Sequence, residues 1–251
     1  MKEETKSKGY VFFVDYNFLL VDGWNEIAVL WQWALDNVRN KKTRIGKING
    51  FFEGIYTGLD GLYNTIKYFK NDDFSDFLKF FSKYNGVKPD YDKKSVLDKL
   101  LPFPIKPELM PNVREFLEHV NKVGKVNILS NGIKEFFEPY LEEKGIRHMF
   151  DNIYANSIKA AKEGKIELKN VEAKRELIKE LYPSQDLSRV VYIGDKRDRK
   201  VIEYVAKHGG KAFMLSKKEG EEIIYKWHND IGDHKKTFYY IKSLKNVFEH
   251  L

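Results

Sequence analysis

Three short apolar runs in this chain lack a helical period, and a small or acidic polar residue stands at the end of each. The runs are YVFFV at 10–14, KVNILS at 125–130 and RVVYIGD at 189–195. Runs of this length, rich in aromatic and β-branched residues, are typical of strands buried on both faces of a sheet. The pattern therefore predicts three buried strands, with Asp15, Ser130 and Asp195 at their carboxyl ends.

Segments with a helical period separate these strands in the second half of the chain. Apolar residues recur at helical spacing in 112–122, 133–145, 171–181 and 200–210, and another apolar run, KAFML, follows at 211–215. Strands that alternate with helices of this length form βαβ units with right-handed crossovers. The predicted fold is α/β, a Rossmann-like parallel sheet flanked by helices, in which ligands bind at the carboxyl ends of the strands.

The region between the first two predicted strands has a different character. Apolar and aromatic residues recur at helical spacing in 25–38, 48–69 and 74–84, and no strand is evident. The segment LPFPIKPELMP that follows contains four prolines, which prevent a regular helix and favour a connection. We predict an α/β core of residues 1–21 and 111–251, with an α-helical domain of residues 22–110 inserted into it.

Composition excludes several classes of protein. The 251 residues include no cysteine, so neither a disulfide nor a thiolate metal site can form. The N-terminus MKEETKSKGY is charged, and no apolar run reaches about 18 residues, so we expect neither a signal peptide nor a membrane span. A cytoplasmic protein is expected, and abundant Lys and Glu without Cys is also typical of a thermophile.

The formal net charge of +7 raises the question of nucleic-acid binding. The lysines are scattered and interleaved with acids, as in KKEGEEIIYK, which is typical of an ordinary solvated surface. Nucleic acid is therefore not an expected partner, whereas a net positive field would favour small anionic substrates. The sequence does not indicate an oligomeric state.

Taken together, the strand ends resemble the motifs of the haloacid dehalogenase superfamily of phosphohydrolases. The family's first motif, an apolar strand followed by Asp-x-Asp-Gly-Thr-Leu and often Val-Asp, is similar to VFFVDYNFLLVD at 11–22. Its second motif, a strand ending in Ser or Thr before Asn-Gly, is similar to VNILSNG at 126–132, and its fourth, with Gly-Asp, to VVYIGDKRD at 190–198. The resemblance covers the chain apart from 22–110, where the family inserts a helical cap, and the C-terminal tail.

The resemblance implies a nucleophile and a metal. Asp15 would attack phosphorus to form an aspartyl phosphate, and a carboxylate needs no deprotonation at neutral pH to do so. Mg²⁺ would be bound by Asp15, the backbone carbonyl of Asn17 and Asp195, since hard oxygen ligands suit this cation. Asp198, three residues after Asp195 instead of the family's four, would orient the metal through water or cap a helix.

The resemblance also implies residues that hold the phosphoryl group. Ser130 would bind one phosphoryl oxygen, helped by the amides of Asn131 and Gly132 at the start of the next helix. The family's third motif is a lysine, for which the candidates are Lys159, Lys162, Lys165, Lys169 and Lys174. We choose Lys174, because Asn170 is a good N-cap and places this lysine in the first helical turn. A cation there opposes the helix dipole, which indicates a countercharge such as the phosphoaspartate.

The first motif departs from the family where the general acid is expected. Asn17 occupies that position, and an amide can neither protonate a leaving oxygen nor activate water. Phe18 and Leu19 replace the usual Gly and Thr, and the loss of Gly restricts the backbone at a tight turn. We expect a Mg²⁺-dependent phosphatase of a small phosphorylated metabolite with reduced or altered activity. The alternative is a weak or inactive member of the family that binds a phosphorylated ligand or a protein partner.

Overall fold

The computed structural model describes residues 9–17, 19–22, 49–50, 53, 56, 60, 63, 73, 75–81, 108–215 and 237–251. The strands are β1 Tyr10–Val14, β2 Val21–Asp22, β3 Glu108–Leu109, β4 Gly124–Ile133, β5 Asn152–Asn156, β6 Val190–Gly194, β7 Lys211–Leu215 and β8 Phe238–Ile241. The α-helices are α1 Ser75–Phe81, α2 Val113–Val123, α3 Lys134–Glu143, α4 Ile158–Lys162, α5 Val171–Leu181 and α6 Arg199–Lys207. Short 3₁₀ segments span Arg147–Met149, Lys196–Asp198 and Leu244–His250.

Six strands form one parallel sheet in the order β5-β4-β1-β6-β7-β8. β1 lies at the centre, where Val14 is in register with Ile128 of β4 and with Ile193 of β6. This confirms the predicted α/β class and the three buried strands. The carboxyl ends of β1, β4 and β6 are therefore neighbours at one edge of the sheet.

Alternation along β1 gives the sheet two hydrophobic faces. Phe12 and Val14 pack on one face with apolar residues of α2 and α3, and Phe13 packs on the other with residues of α5 and α6. All three side chains are buried, and burying a side chain of this size stabilises the fold by about 1.5–3 kcal/mol. Because both faces are covered, the strand is apolar at every position, as its sequence predicts.

Two strands of the sheet were not predicted, β5 and β8. β5 lies at the edge of the sheet beside β4, and Asn152 at its start donates from Nδ2 to Asn127 Oδ1 at 2.9 Å. Its sequence, NIYAN, carries no long apolar run. Pairing with β4 therefore decides its conformation, since strand formation depends strongly on context. β8 lies in the C-terminal tail and completes the opposite edge through parallel pairing with β7.

The two ends of the predicted insertion meet in a short antiparallel pair. β2 pairs with β3, so that Val21 is in register with Leu109 and Asp22 with Glu108. No strand was predicted there, because two-residue strands carry no periodicity. The domain boundaries stay a prediction.

Within the predicted insertion, α1 falls inside the helix predicted at 74–84. The described residues 49, 50, 53, 56, 60 and 63 are also helical, in agreement with the helix predicted at 48–69. The helix predicted at 25–38 lies outside the described residues. In the described part of the chain, no helix is both long enough and apolar enough to cross a membrane.

Candidate active site

Asp15 follows directly on the central strand of the sheet. Its backbone N–H donates to the Ile193 carbonyl at 2.9 Å, which extends the pairing with β6 by one residue. The residue is only 5% exposed. A carboxylate in such surroundings is costly unless a cation neutralises it.

Lys174 provides that cation. Its Nζ donates to Asp15 Oδ1 at 2.9 Å, and Lys174 itself is 2% exposed. The residue lies in the first turn of α5, whose predicted N-cap, Asn170, accepts a hydrogen bond from the Ala173 amide at 2.9 Å. The countercharge inferred from the helix dipole therefore includes Asp15, which lies 159 residues away in sequence.

Asp198 is the second carboxylate that Lys174 contacts. Lys174 Nζ donates to Asp198 Oδ1 at 2.8 Å, and Asp198 is buried at 2% exposure. The residue precedes α6 but makes no side-chain capping hydrogen bond, so the predicted alternative of a helix cap is not seen. Its Oδ2 packs so closely on the end of β6 that a Cβ built on Gly194 would lie 2.5 Å from it. The glycine before Asp195 is thus required by the close approach of Asp198.

Asp195 forms an ion pair that the sequence analysis missed. Its carboxylate accepts from the Arg197 side chain, through Nε at 3.2 Å to Oδ1 and at 2.9 Å to Oδ2, and through Nη2 at 2.5 Å to Oδ2. The Arg197 backbone N–H also donates to Oδ1 at 2.8 Å, which closes the 3₁₀ turn that starts at Asp195. The sequence feature that could have indicated this ion pair is the arginine two residues after the Gly-Asp dipeptide.

The buried charges shift one another's protonation. Burial raises the pKa of Asp15 to about 7, although the Lys174 ammonium lowers it. Asp198 and Asp195 add to that rise in the Asp15 pKa, and Arg197 opposes it. Burial works to lower the pKa of Lys174, but Asp15 and Asp198 raise it above its ordinary value, so this side chain stays protonated.

Ser130, Asn131 and Gly132 lie at the end of β4, where its register against β5 shifts. Helix α3 begins at Lys134, one residue after its predicted start, and Asn131 and Gly132 lie in the last residues of β4 just before it. The Gly132 amide donates to Ser130 Oγ at 3.1 Å, which orients the buried hydroxyl. The phosphoryl-binding roles of these three residues stay predictions.

A buried amide network connects this loop to the start of α5. Asn131 Nδ2 donates to the Leu168 carbonyl at 2.7 Å. Asn156 Nδ2 donates to the carbonyls of Asn131 and Leu168 at 2.7 and 2.8 Å, and its Oδ1 accepts from the Leu168 amide at 3.0 Å. Asn156 therefore joins the end of β4 to the segment that leads into Lys174. Asn156 was not among the predicted site residues, because an asparagine in a half-buried edge strand is unremarkable.

Asn17 lies two residues beyond Asp15. Its side chain is half-buried, and its Oδ1 is buried without a hydrogen-bond partner among the described residues. A buried polar atom without a partner costs free energy. Because Asn17 stands where the family places its general acid, it was also predicted to contact the substrate, and that contact stays a prediction.

The magnesium site predicted at Asp15, Asn17 and Asp195 also stays a prediction, and the described arrangement does not fit it. Each Asp195 oxygen accepts two hydrogen bonds from Arg197, which occupy the roughly four lone-pair positions of a carboxylate. A guanidinium on the same carboxylate would also repel a divalent cation. No group of three or more His, Cys, Asp or Glu residues in the described ranges is arranged to hold a metal ion.

A separate groove of about 660 Å³ runs along β5 and α5, with Tyr154, Leu168 and Leu177 among its lining residues. Lys169, a candidate for the third-motif lysine that was not chosen, lines it, whereas Asp15, Ser130, Lys174 and Asp195 do not. The charge cluster at the sheet edge is therefore the better candidate for chemistry, because it combines a buried carboxylate at the end of the central strand with two cations.

Comparison with known proteins places the chain in a family. Residues 16–198, more than half of the chain, match the family described as haloacid dehalogenase-like hydrolase. No curated protein matches. The classification of the chain therefore rests on the family match.

Solved structures with the same fold include phosphatases and a dehalogenase. A HAD phosphatase from Thermococcus onnurineus is 16% identical, with 96% of each chain covered and a TM-score of 0.52. A phosphoserine phosphatase solved with bound substrate is 14% identical, covering 97% of this chain and 99% of that one, with a TM-score of 0.52. A 2-haloacid dehalogenase from Pseudomonas syringae is 13% identical, covering 96% and 97%, with a TM-score of 0.50. The chain belongs to the haloacid dehalogenase-like hydrolases.

Proposed function

We propose that this hydrolase removes the phosphoryl group of a small phosphorylated metabolite by way of a covalent intermediate on Asp15. The observation that carries the proposal is the contact of Lys174 Nζ with Asp15 Oδ1 at 2.9 Å in a buried site. It places a fixed cation on a carboxylate at the carboxyl end of the central strand, where ligands of parallel sheets bind.

The charges favour a phosphoryl substrate. A phosphate ester carries about two negative charges near neutral pH, so it approaches a carboxylate nucleophile only where cations offset the repulsion. Lys174 contacts Asp15 directly, and Arg197 lies near enough to lower the pKa of Asp15. A neutral substrate would need no second cation.

The reaction has two displacements. An Asp15 carboxylate oxygen attacks phosphorus, the bond from phosphorus to the leaving oxygen breaks, and that oxygen departs with the electron pair. Among the described residues no hydrogen bond reaches Asp15 Oδ2, whereas Oδ1 is held by Lys174, so Oδ2 is the attacking atom. Water then attacks the phosphorus of the aspartyl phosphate, the acyl oxygen leaves to restore Asp15, and the protons of water pass to inorganic phosphate and the solvent.

The leaving group decides how well the first displacement proceeds. An alkoxide must gain a proton as it departs, and Asn17 cannot supply one. A carboxylate leaving from an acyl phosphate needs no proton. Acyl phosphates and other phosphoric anhydrides are therefore the substrate class that this site serves best.

A release assay for inorganic phosphate tests the proposal. Acetyl phosphate, p-nitrophenyl phosphate and a panel of sugar and amino-acid phosphates are incubated with the protein, in Mg²⁺ and in EDTA. Asp15→Asn should abolish release, whereas Asp186→Asn, which changes an exposed carboxylate elsewhere, should leave it unchanged. Because one structural neighbour is a haloacid dehalogenase, 2-chloropropionate is included, and chloride release without phosphate release would refute the proposal.

A second candidate is a protein that binds a phosphorylated ligand without turning it over. The absence of a titratable side chain at position 17 favours it, since both displacements lose general acid-base assistance. Calorimetry that shows phosphate binding, together with no phosphate release from any substrate, would establish this alternative.

A further inference from the structure

The cluster at the sheet edge contains two cations and three carboxylates. Lys174 is shared between Asp15 and Asp198, and Arg197 pairs with Asp195. With Asp15 ionised, these described residues leave one net negative charge without any metal ion. The cluster is thus nearly balanced by its own side chains.

The pairing of Arg197 with Asp195 is fixed by the backbone as well as by the side chain. The Arg197 N–H donates to Asp195 Oδ1 at 2.8 Å, so the same residue that closes the turn also directs its guanidinium onto the carboxylate. The short spacing from Asp195 to Asp198 makes this turn a single 3₁₀ segment.

Arg197 lies on the open side of the cluster. Its side chain is 32% exposed and that of Asp195 is 16% exposed, whereas Asp15, Lys174 and Asp198 are almost fully buried. Asp195 and Asp15 lie at the same edge of the sheet, because Val14 and Ile193 are in register on adjacent strands and the chain continues from them into Asp15 and Asp195. Of the two cations in the cluster, Arg197 is therefore the one that is more accessible to a phosphoryl group from solvent.

We propose that Arg197 takes the place of a divalent cation in this site: its guanidinium neutralises Asp195 and binds the phosphoryl oxygens, so phosphoryl transfer to Asp15 needs no Mg²⁺. The inference rests on the proposed function for its reaction, which is the pair of displacements given above with no added reactant. A guanidinium suits the task, because its planar array of N–H donors matches phosphoryl oxygens and its charge is permanent.

The inference predicts opposite metal dependence in the wild type and in a variant that lacks the arginine charge. In Arg197→Gln the carboxylate of Asp195 loses its ion pair and becomes available as an oxygen ligand. The variant should therefore bind Mn²⁺, used as a paramagnetic substitute for Mg²⁺, whereas the wild type should not. Enhancement of water-proton relaxation by protein-bound Mn²⁺ measures this without any turnover.

Activity and phosphate binding provide the second readout. Wild-type turnover of acetyl phosphate should be the same in EDTA as in Mg²⁺, and calorimetry in EDTA should detect binding of inorganic phosphate. Arg197→Gln should lower turnover in EDTA by roughly 100-fold or more, the usual effect of removing one donor that stabilises transition-state charge. The control variant Arg175→Gln removes the same charge from an exposed ion pair on α5 and should leave turnover and phosphate binding unchanged. Far-ultraviolet circular dichroism checks folding, and Arg197→Met, which also removes the charge, serves if the glutamine variant does not fold.

Each result separates this inference from the proposed function. Wild-type turnover that EDTA abolishes and Mg²⁺ restores would overturn the inference and leave the proposed function standing. Absence of turnover with every substrate would refute the proposed function. Calorimetry of phosphate binding in EDTA would then still test the role of Arg197. Equal phosphate affinity of the wild type and of Arg197→Gln would overturn the inference.

Discussion

Replacing Lys174 with methionine should destabilise the protein by an amount that depends on pH. The substitution keeps a flexible chain of similar length but removes the ammonium group that contacts Asp15 at 2.9 Å and Asp198 at 2.8 Å. Both carboxyl groups would remain buried at the end of the sheet. The variant therefore isolates what one buried cation contributes to the fold.

The magnitude follows from the burial of the three groups. Removal of one partner from a buried ion pair typically costs about 3–5 kcal/mol, because it leaves an uncompensated charge. Lys174 serves two carboxylates, and all three residues are at most 5% exposed, so the upper end of this range, about 5 kcal/mol, is expected above neutral pH. That loss is a large fraction of the free energy of unfolding of an ordinary domain, about 5–15 kcal/mol.

The sign of the pH dependence comes from Asp15. Burial already raises its pKa to about 7, despite the effect of Lys174, and loss of the ammonium would raise that pKa further. A group whose pKa is raised by folding contributes stability below its unfolded pKa, and that contribution is lost as pH rises through its folded pKa. The deficit of Lys174→Met should therefore be greatest near pH 8 and smaller near about pH 5, where Asp15 is protonated in both proteins.

Urea unfolding followed by circular dichroism at the two pH values measures the deficit. Lys162→Met, which changes an exposed lysine of α4, provides the control and should have little effect. Adding Asp198→Asn to Lys174→Met should recover part of the lost stability, because it removes one of the unpaired carboxylates. A deficit below about 1 kcal/mol, or an equal deficit at both pH values, would refute the reasoning from burial.

Three further outcomes are expected. Asn17→Asp should raise turnover of alkyl phosphate esters, by up to about 10²–10⁴, far more than that of acetyl phosphate, since only the former needs a protonated leaving group; an equal effect on both would contradict this. The kcat/KM for acetyl phosphate should fall as pH decreases through about 7, where Asp15 gains a proton and loses its nucleophilicity, and a flat profile would count against Asp15 as nucleophile. Gly194→Ala should lower the free energy of unfolding by about 1–3 kcal/mol, because its Cβ would lie 2.5 Å from Asp198 Oδ2, and an unchanged urea midpoint would show that the turn adapts.

Much of the fold could be predicted because burial on both faces leaves a direct record in the sequence. β1, β6 and β7 are largely apolar, β4 contains the mainly apolar stretch VNIL, and the helices between these strands carry a clear period, so the class of the fold and its crossovers follow. β5 could not be predicted in this way. NIYAN is an edge strand whose conformation depends on pairing with β4, and its two asparagines resemble turn residues when read alone.

In the candidate site, positions fixed by local structure were predictable, whereas contacts between distant parts of the chain were not. Asp15 and Lys174 were predictable because each stands at a position that local structure defines: the residue after a buried strand, and the first turn of a capped helix. Two contacts were not predictable: the contact of Lys174 with Asp198 and the ion pair of Arg197 with Asp195. Those contacts depend on side-chain directions in a 3₁₀ turn and on strands brought side by side from distant parts of the chain. Charge pairing in a buried site is a property of three-dimensional proximity, and the linear order of residues does not contain it.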